Sequence, residues 1–218
     1  MSSVFYKDGS TPIRVGKIVC VGRNYPEHAK EMHVELPDEP VLFLKPSSAL
    51  LRDGGRIVIP PFSSNLHHEV ELVVLIGRGG KGIRRVHALT HVGGYGVGLY
   101  MTLRDVQAEA KRKGLPWVVA KGFDTSAPVS AFAPAASVPD PHDLRLTLKV
   151  NGQVRQQSST SRMLFRIDEL VSYISERFTL EEGDLIFTGT PEGVGRVVSG
   201  DVLEASAESV ASLTVSVA

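Results

Sequence analysis

The sequence has little cysteine, no net charge and no long hydrophobic run, and each shortage excludes a class of protein. Cys20 is the one cysteine among 218 residues, so a disulfide-stabilised secreted domain is excluded and a cytoplasmic protein is expected. Lysine plus arginine and aspartate plus glutamate number 24 each, so the basic excess of a nucleic-acid-binding or membrane-surface protein is missing. The longest strongly apolar run, 72–76, is far too short to span a bilayer.

What is present favours a strand-rich globular fold. Hydrophobic residues make up 42% and charged residues 22%, as in soluble domains, while 21 glycines and 13 prolines indicate many turns. The pair Asn151-Gly152, which follows an alternating apolar segment, predicts a β-hairpin. The expected fold class is therefore α+β, mostly β. No internal repeat or linker is evident, so we expect a polar lead-in over 1–15 and one domain over 16–218.

Hydrophobic periodicity places the main elements. A short strand over 17–22 precedes a helix that Asn24 caps and that ends near residue 32. The strongest strand covers 69–76, and helices are predicted over 103–113 and from 167 to 178.

Two acids interrupt the strongest strand. Glu69 and Glu71 are two residues apart, so their carboxylates project from the same face, at a spacing that suits two ligands of one Mg²⁺ or Mn²⁺ ion. The alternative is a solvated edge strand with two surface acids. The apolar flanks of the strand and the preceding pair His67-His68 leave these two interpretations evenly balanced.

Other candidate residues lie at helical spacing or in loops. His28 and Glu31, three apart, could form a general base oriented by a carboxylate, although from spacing alone an exposed surface pair is the better interpretation. Arg104 and Gln107, also three apart, could bind a carboxylate, but ordinary surface polarity again explains them better. Lys121 lies between small and apolar residues, which fits a buried anion-binding lysine and an exposed loop lysine equally well.

The glycine-rich loop over 188–195 follows a predicted strand and could direct backbone N–H groups at an oxyanion. It lacks the lysine of a phosphate-binding loop and the spacing of a dinucleotide fingerprint, so nucleotide binding is not supported. Taken alone, a structural turn is its better interpretation.

In their order along the chain, these pieces resemble the fumarylacetoacetate hydrolase family, and its short acylpyruvate hydrolase and oxaloacetate decarboxylase members in particular. The likeness extends from about residue 16 to 204. The matching segments are VCVGRNY (19–25), PVLFLKP (40–46), HHEVE (67–71), MTLRDVQ (101–107), GLPW (114–117), AK (120–121) and TGTP (188–191).

The resemblance implies a mixed β-sandwich roll of the β-clip type, assembled as a homodimer, with a lid helix at about 25–35. It implies that Glu69 and Glu71 ligate Mg²⁺ or Mn²⁺. It implies that a small 2-oxo acid is held by the residues Arg104, Gln107, Lys121 and Thr190. It also assigns His28 and Glu31 to the family's catalytic pair, with Lys121 as a further catalytic residue, which reverses the interpretation from spacing alone.

One position departs from the family pattern. A third metal-binding aspartate is expected five residues before Asp105, and Tyr100 stands there. A phenol is neutral at pH 7, with a reference pKa of about 10, so it is a poor substitute for a carboxylate. Asp105 belongs to a different turn and does not replace the missing ligand. Affinity for free metal should therefore fall.

The expected activity is metal-dependent hydrolysis of a C–C bond in small acylpyruvates such as acetylpyruvate or fumarylpyruvate. In this mechanism His28, oriented by Glu31, activates water, and a pyruvate enolate leaves. Oxaloacetate decarboxylation and keto–enol isomerisation rely on the same kind of enolate chemistry and are close alternatives. A catalytically weakened binding protein is a further alternative, because Tyr100 replaces a metal ligand.

Overall fold

The computed structural model describes residues 2–9 and 12–218. The α-helices are α1 (Pro26–Glu31), α2 (Arg104–Lys113), α3 (Val118–Lys121) and α4 (Ile167–Arg177). The strands are β1 (Ser3–Val4), β2 (Ile13–Arg14), β3 (Ile18–Gly22), β4 (Val41–Lys45), β5 (Leu50–Arg52), β6 (Arg56–Ile57), β7 (Leu66–His68), β8 (Val70–Ile76), β9 (Val92–Leu99), β10 (Thr102–Leu103), β11 (Ala127–Val129), β12 (Ala133–Pro134), β13 (Arg145–Val150), β14 (Gln153–Ser159), β15 (Leu185–Phe187), β16 (Gly195–Val197), β17 (Val202–Ala207) and β18 (Ala211–Val217). Short 3₁₀ turns cover Ser47–Ala49, Arg85–His91, Ala135–Ser137 and Thr160–Arg162.

Mixed sheets carry the fold. The largest has the order β4-β3-β15-β8-β9-β11-β5, with β12 attached to β9, and a second has the order β14-β13-β17-β18-β6. Most neighbouring strands are antiparallel, while β15 runs parallel to β3, β11 to β5 and β18 to β6. The predicted mostly-β class is confirmed. Among the described helices, none combines the length and apolar character that crossing a membrane needs.

Strand β8 separates two hydrophobic clusters by alternation. Its even-numbered side chains, from residue 70 to 76, join a large cluster that also contains residues of β9, β13, β17, β18 and α4. Val73 and Leu75 join a smaller cluster on the opposite face, which includes Tyr100 and Phe187. Because side chains alternate along a strand, Glu71 lies on the Tyr100 side of β8.

The strand predicted over 69–76 begins differently from the prediction. Glu69 lies between β7 and β8, at the point where the chain changes sheets: β7 pairs with β10 and β16, whereas β8 pairs with β9 and β15. At this change the N–H of Val70 donates to the side-chain oxygen of Gln156 at 3.0 Å. The acid therefore lies at a junction, where its carboxylate can meet groups from several elements.

The segment predicted as a polar lead-in, 1–15, carries the paired strands β1 and β2 in its described part. Val4 and Val15 are buried, and the backbone of Tyr6 bridges to that of Phe132. Residues 1, 10 and 11 lie outside the described residues. Two apolar side chains thus anchor the described part of this segment to the domain.

Asn24 does not cap α1 as predicted. The N-cap is Tyr25, which makes no side-chain capping bond. The buried amide of Asn24 donates to the carbonyl groups of Phe165 (3.1 Å) and Thr188 (2.7 Å), and its oxygen accepts from the N–H of Phe165 (2.7 Å). One side chain thus fixes the approach to α4 and the loop after β15, which is a contact between distant segments that local sequence does not reveal.

We expect Asn24→Ala to lower the free energy of unfolding by about 3 kcal/mol, because it leaves three buried backbone groups without partners. Chemical denaturation at pH 7 measures the change. Gln153→Ala, which alters an exposed amide on β14, is the control and should shift stability by less than about 0.5 kcal/mol. Equal effects of the two substitutions would contradict the role given to Asn24.

Candidate active site

A cavity of about 580 Å³ lies beside β3, β4, α1, α2 and α3. Its walls bring together six of the residues singled out from sequence, namely His28, Glu69, Arg104, Gln107, Lys121 and Thr190. One wall is apolar and includes Phe43 and Trp117, whose rings stack with centroids 5.6 Å apart. A cavity with one charged side and one apolar side suits a small organic anion.

Glu69 is buried and surrounded by donors. Its Oε1 accepts from Thr102 Oγ1 and from Arg104 Nη2, both at 2.8 Å, and Lys121 Nζ lies 3.7 Å away. Burial alone would raise the pKa of this carboxyl, but the Lys121 and Arg104 cations lower it to about 2. Glu69 is therefore an ionised carboxylate that is already compensated by the chain's own cations.

Glu71 lies in a different environment, although it is equally buried. Its Oε2 accepts from the N–H of Gly189 at 2.7 Å. Burial, followed by the charge of Glu69, raises the pKa of Glu71 well above 4.5. The two acids therefore differ in their ease of ionisation, because the cations lie closest to the first.

Tyr100 fills the position at which the resemblance expects a third metal-binding acid. Its ring makes an edge contact with Phe187, at 6.2 Å between centroids, while Lys45 Nζ lies 3.9 Å and Lys121 Nζ 4.6 Å from the ring centroid. The phenol oxygen is buried and has no hydrogen-bond partner among the described residues. Burial, then Cys20, Glu69 and Glu71, raises the pKa of Tyr100 well above 10. The phenol is thus a neutral group.

Lys45 is a buried site residue that sequence reasoning missed. Its ammonium group donates to the carbonyl oxygens of Met101 (3.1 Å) and Lys121, and to Ser126 Oγ (3.1 Å). Burial lowers the pKa of Lys45 to about 7. The signal was its place at the end of the apolar strand β4, where a charged residue needs partners that the sequence does not show.

The residues present do not fit the three-carboxylate metal site that the resemblance implies. Across residues 2–9 and 12–218, no group of three or more histidine, cysteine, aspartate or glutamate side chains is arranged to hold a metal ion. Glu69 and Glu71 remain as the two acids, and Tyr100 contributes a ring covered by ammonium groups. Asp105 is held elsewhere by Ser63 and Ser64, as expected.

His28 and Glu31 form a pair on the cavity side of α1. Nδ1 of His28 donates to Glu31 Oε2 at 3.1 Å, and Glu31 Oε1 accepts from the N–H of Gly193 at 3.0 Å. His28 is buried, so the alternative of a wholly exposed pair does not hold. The opposite ring nitrogen, Nε2, has no hydrogen-bond partner in the described part of the chain, and the ring lines the cavity.

Arg104 and Thr190 are both held in place by amide side chains. Arg104 Nη1 donates to Gln107 Oε1 at 3.0 Å, and Gln107 is buried, so ordinary surface polarity does not describe this pair. Gln156, which the sequence analysis missed, donates from Nε2 to Thr190 Oγ1 at 2.9 Å. Because that hydroxyl already accepts a hydrogen bond, its proton is available to donate into the cavity. His68 also contacts Gln156, at 3.1 Å.

The loop over 188–195 directs N–H groups at acids of the same chain. The N–H of Gly189 donates to Glu71, and the N–H of Gly193 donates to Glu31. Both glycines have a positive φ, 101° and 92°, a conformation that other residues rarely adopt. The loop thus orders the site's own carboxylates.

Comparison with known proteins gives one consistent result. The family profile for fumarylacetoacetate (FAA) hydrolase C-terminal matches residues 17–218. The mitochondrial oxaloacetate tautomerase FAHD1 of Rattus norvegicus is 55% identical over 196 residues, which cover 90% of this chain and 89% of the rat protein. The crystal structure of fumarylpyruvate hydrolase from Pseudomonas aeruginosa, in complex with Mn²⁺ and pyruvate, has a TM-score of 0.94 at 39% identity, covering 99% of this chain and 94% of that chain.

A third relative carries a different activity on a similar fold. 5-carboxymethyl-2-hydroxymuconate delta-isomerase from Mycobacterium smegmatis has a TM-score of 0.84 at 40% identity, covering 94% of this chain and 80% of that chain. The fold expected from the resemblance is confirmed by these structural matches.

We expect Glu69→Gln to lower the free energy of unfolding by about 3 kcal/mol at pH 7 in EDTA, because it leaves the buried Lys121 and the partly buried Arg104 without their carboxylate partner. Glu71→Gln should change it by less than about 1 kcal/mol, since the amide oxygen of glutamine can still accept from the N–H of Gly189. Because the pKa of Glu69 is lowered from 4.5 to about 2, its stabilising contribution is complete above pH 4.5 and is lost as pH falls through 2.

Denaturation curves of both variants between pH 2 and 7 test this pair of expectations. A greater loss with Glu71→Gln than with Glu69→Gln would contradict the assignment of the ionised carboxylate to Glu69.

Proposed function

The chain belongs to the fumarylacetoacetate hydrolase family, as its sequence predicts, and we propose that it hydrolyses a C–C bond in small acylpyruvates through a pyruvate enolate. The observation that supports this reaction is the His28–Glu31 pair, which lines the same cavity as Lys121 and Arg104. A base oriented by a carboxylate and two cations on one cavity are what attack by water on a 2,4-dioxo acid needs.

The head of the substrate is held by groups with free donors. Arg104 and Lys121 neutralise its carboxylate, while Gln107 and Thr190 contribute further hydrogen bonds. Phe43 and Trp117 form an apolar surface against which the carbon chain packs. In the proposed pose the head lies against these cations and the acyl group against the apolar surface.

His28 Nε2 takes a proton from water, and the oxygen of that water adds to the distal carbonyl carbon of the substrate. The bond between this carbon and the neighbouring methylene breaks, and its electron pair remains on the methylene side as a pyruvate enolate. Lys121 and Arg104 stabilise the enolate charge, and the proton held by His28 is returned to the enolate carbon, which gives pyruvate beside the released acid. These steps use side chains of this chain alone. The Mg²⁺ or Mn²⁺ ion that the resemblance implies on Glu69 and Glu71 takes no part in these steps.

A second candidate is keto–enol isomerisation or decarboxylation of oxaloacetate. The observation that favours it is the relative from Rattus norvegicus, an oxaloacetate tautomerase with 55% identity. Decarboxylation leaves the pyruvate enolate once CO₂ has departed, whereas isomerisation passes through the enolate of oxaloacetate itself. His28 moves the proton in the isomerisation, and neither reaction adds water to carbon. A catalytically silent binding protein is the third reading, and it would bind the 2-oxo acid without turnover.

Two cations at the cavity wall favour a substrate with a second carboxylate. Arg23 and Lys111 line the cavity, and neither contacts a carboxylate among the described residues. Burial and the charges of Arg104 and Arg23 lower the pKa of Lys111. A distal carboxylate would relieve this repulsion, which points to dicarboxylic 2-oxo acids such as oxaloacetate or fumarylpyruvate. We also propose, from the resemblance, a homodimer and, from the composition, a cytoplasmic protein without nucleic-acid or membrane partners.

We expect His28→Gln to lower kcat for acylpyruvate hydrolysis by about 10²-fold or more with little change in KM, since the general base is lost. Loss of the substrate's ultraviolet enol band, with pyruvate measured separately, follows the reaction. Lys30→Gln, on the exposed side of α1, is the control and should retain activity. Isomerisation without pyruvate release would favour the second candidate, and unchanged hydrolysis in His28→Gln would overturn the assigned base.

We expect Lys111→Gln to raise KM for oxaloacetate or fumarylpyruvate about fivefold, which corresponds to roughly 1 kcal/mol, while KM for acetylpyruvate stays within about twofold. Steady-state kinetics on both substrate types measure the split. Lys113→Gln is the control, because this exposed lysine of the same helix pairs with Glu109. An equal rise for both substrates would contradict the distal-carboxylate contact.

A further inference from the structure

We propose that this chain binds the carboxylate and oxo oxygens of its 2-oxo acid through its own cations and without a divalent metal ion, because Tyr100 occupies the third-ligand position. The inference rests on the proposed function only for the chemical class of ligand. It concerns the donor set at the base of the cavity, where this chain departs from the family pattern.

Tyr100 is a poor ligand for a metal ion. A hard dication prefers carboxylate, carbonyl and water oxygens. Tyr100 presents the face of its ring to Lys45 and Lys121, whose Nζ atoms lie 3.9 and 4.6 Å from the ring centroid. The ring also packs in an apolar cluster with Cys20 and Phe187. A neutral phenol in these surroundings does not replace an aspartate. Its ring serves the two ammonium groups instead, as a cation–π partner.

The charges around the cavity disfavour a bound dication. The cavity is lined by the cations Arg23, Arg104, Lys111 and Lys121 and by one acid, Glu69. With Lys45 and Glu71 included, the cations still exceed the acids. An added dication would be repelled by this surplus, whereas a dianion such as oxalate or a 2-oxo dicarboxylate would be attracted.

Lys121 is the buried lysine that meets the ligand. An ammonium group has three donors. The three donors of Lys45 are bound to Met101, Lys121 and Ser126, so Lys45 has none left for a ligand and holds neighbouring residues of the site in place. Lys121 makes one hydrogen bond, to Thr102 Oγ1 at 2.8 Å, besides its ion pair with Glu69. It therefore retains donor capacity for a ligand oxygen.

The test uses oxalate and Mn²⁺ as separate probes of the full-length wild-type chain. Calorimetry with EDTA present should give an oxalate affinity within about threefold of that measured with Mn²⁺, after correction for the manganese–oxalate complex in solution. Manganese alone, followed by the electron paramagnetic resonance signal of the free ion, should show no saturable binding. Oxalate binding that needs Mn²⁺, or that is undetectable in both conditions, would overturn the proposal.

Two substitutions at Tyr100 distinguish the role of the ring from that of the phenol oxygen. Tyr100→Asp should tighten Mn²⁺ binding by about tenfold or more, because it restores a third carboxylate. Tyr100→Phe keeps the ring and should bind oxalate in EDTA as wild type does. Loss of binding in Tyr100→Phe would show that the phenol oxygen is a ligand and overturn the proposal. Should Tyr100→Asp not fold, Lys121→Met in wild type should weaken metal-free oxalate binding about tenfold.

Turnover assays distinguish failure of this inference from failure of the proposed function. Absence of turnover alongside oxalate binding in EDTA supports the inference and removes the proposed hydrolase. Turnover that disappears with EDTA and returns with Mn²⁺ overturns the inference and retains the hydrolase.

Discussion

Compensation of the buried Glu69 carboxylate is the interaction on which the site depends. The acid lies where the chain passes from β7 to β8, and its partners come from consecutive elements: Thr102 in β10, Arg104 at the start of α2 and Lys121 at the end of α3. Arg104 and Lys121 line the cavity, and Thr102 accepts a hydrogen bond from Lys121. The same ion pairs that permit a charge in the interior therefore set where the cations stand.

The sequence predicts the parts of the site that depend on local spacing. Alternation along β8 placed Glu71 opposite the large core, and spacing of three placed Arg104 beside Gln107 and His28 beside Glu31. Spacing alone did not predict that these pairs face a cavity, and the resemblance to a family supplied that expectation.

Contacts between distant segments could not be predicted in this way. Asn24, Lys45 and Gln156 each bond to groups far away in sequence, so no periodicity marks them. The departure at Tyr100 was visible in the sequence, but its effect was not. Only the structure shows ammonium groups on the tyrosine ring.

Glu31 has a double attachment that links two events. One of its oxygens orients His28 and the other accepts from the loop at Gly193, so the imidazole is aligned only while α1 and this loop are in contact. Alignment of the imidazole thereby depends on both the short helix and the loop. If the helix and the loop separate, His28 loses its alignment while the sheets stay folded. Catalytic activity can therefore be lost without global unfolding.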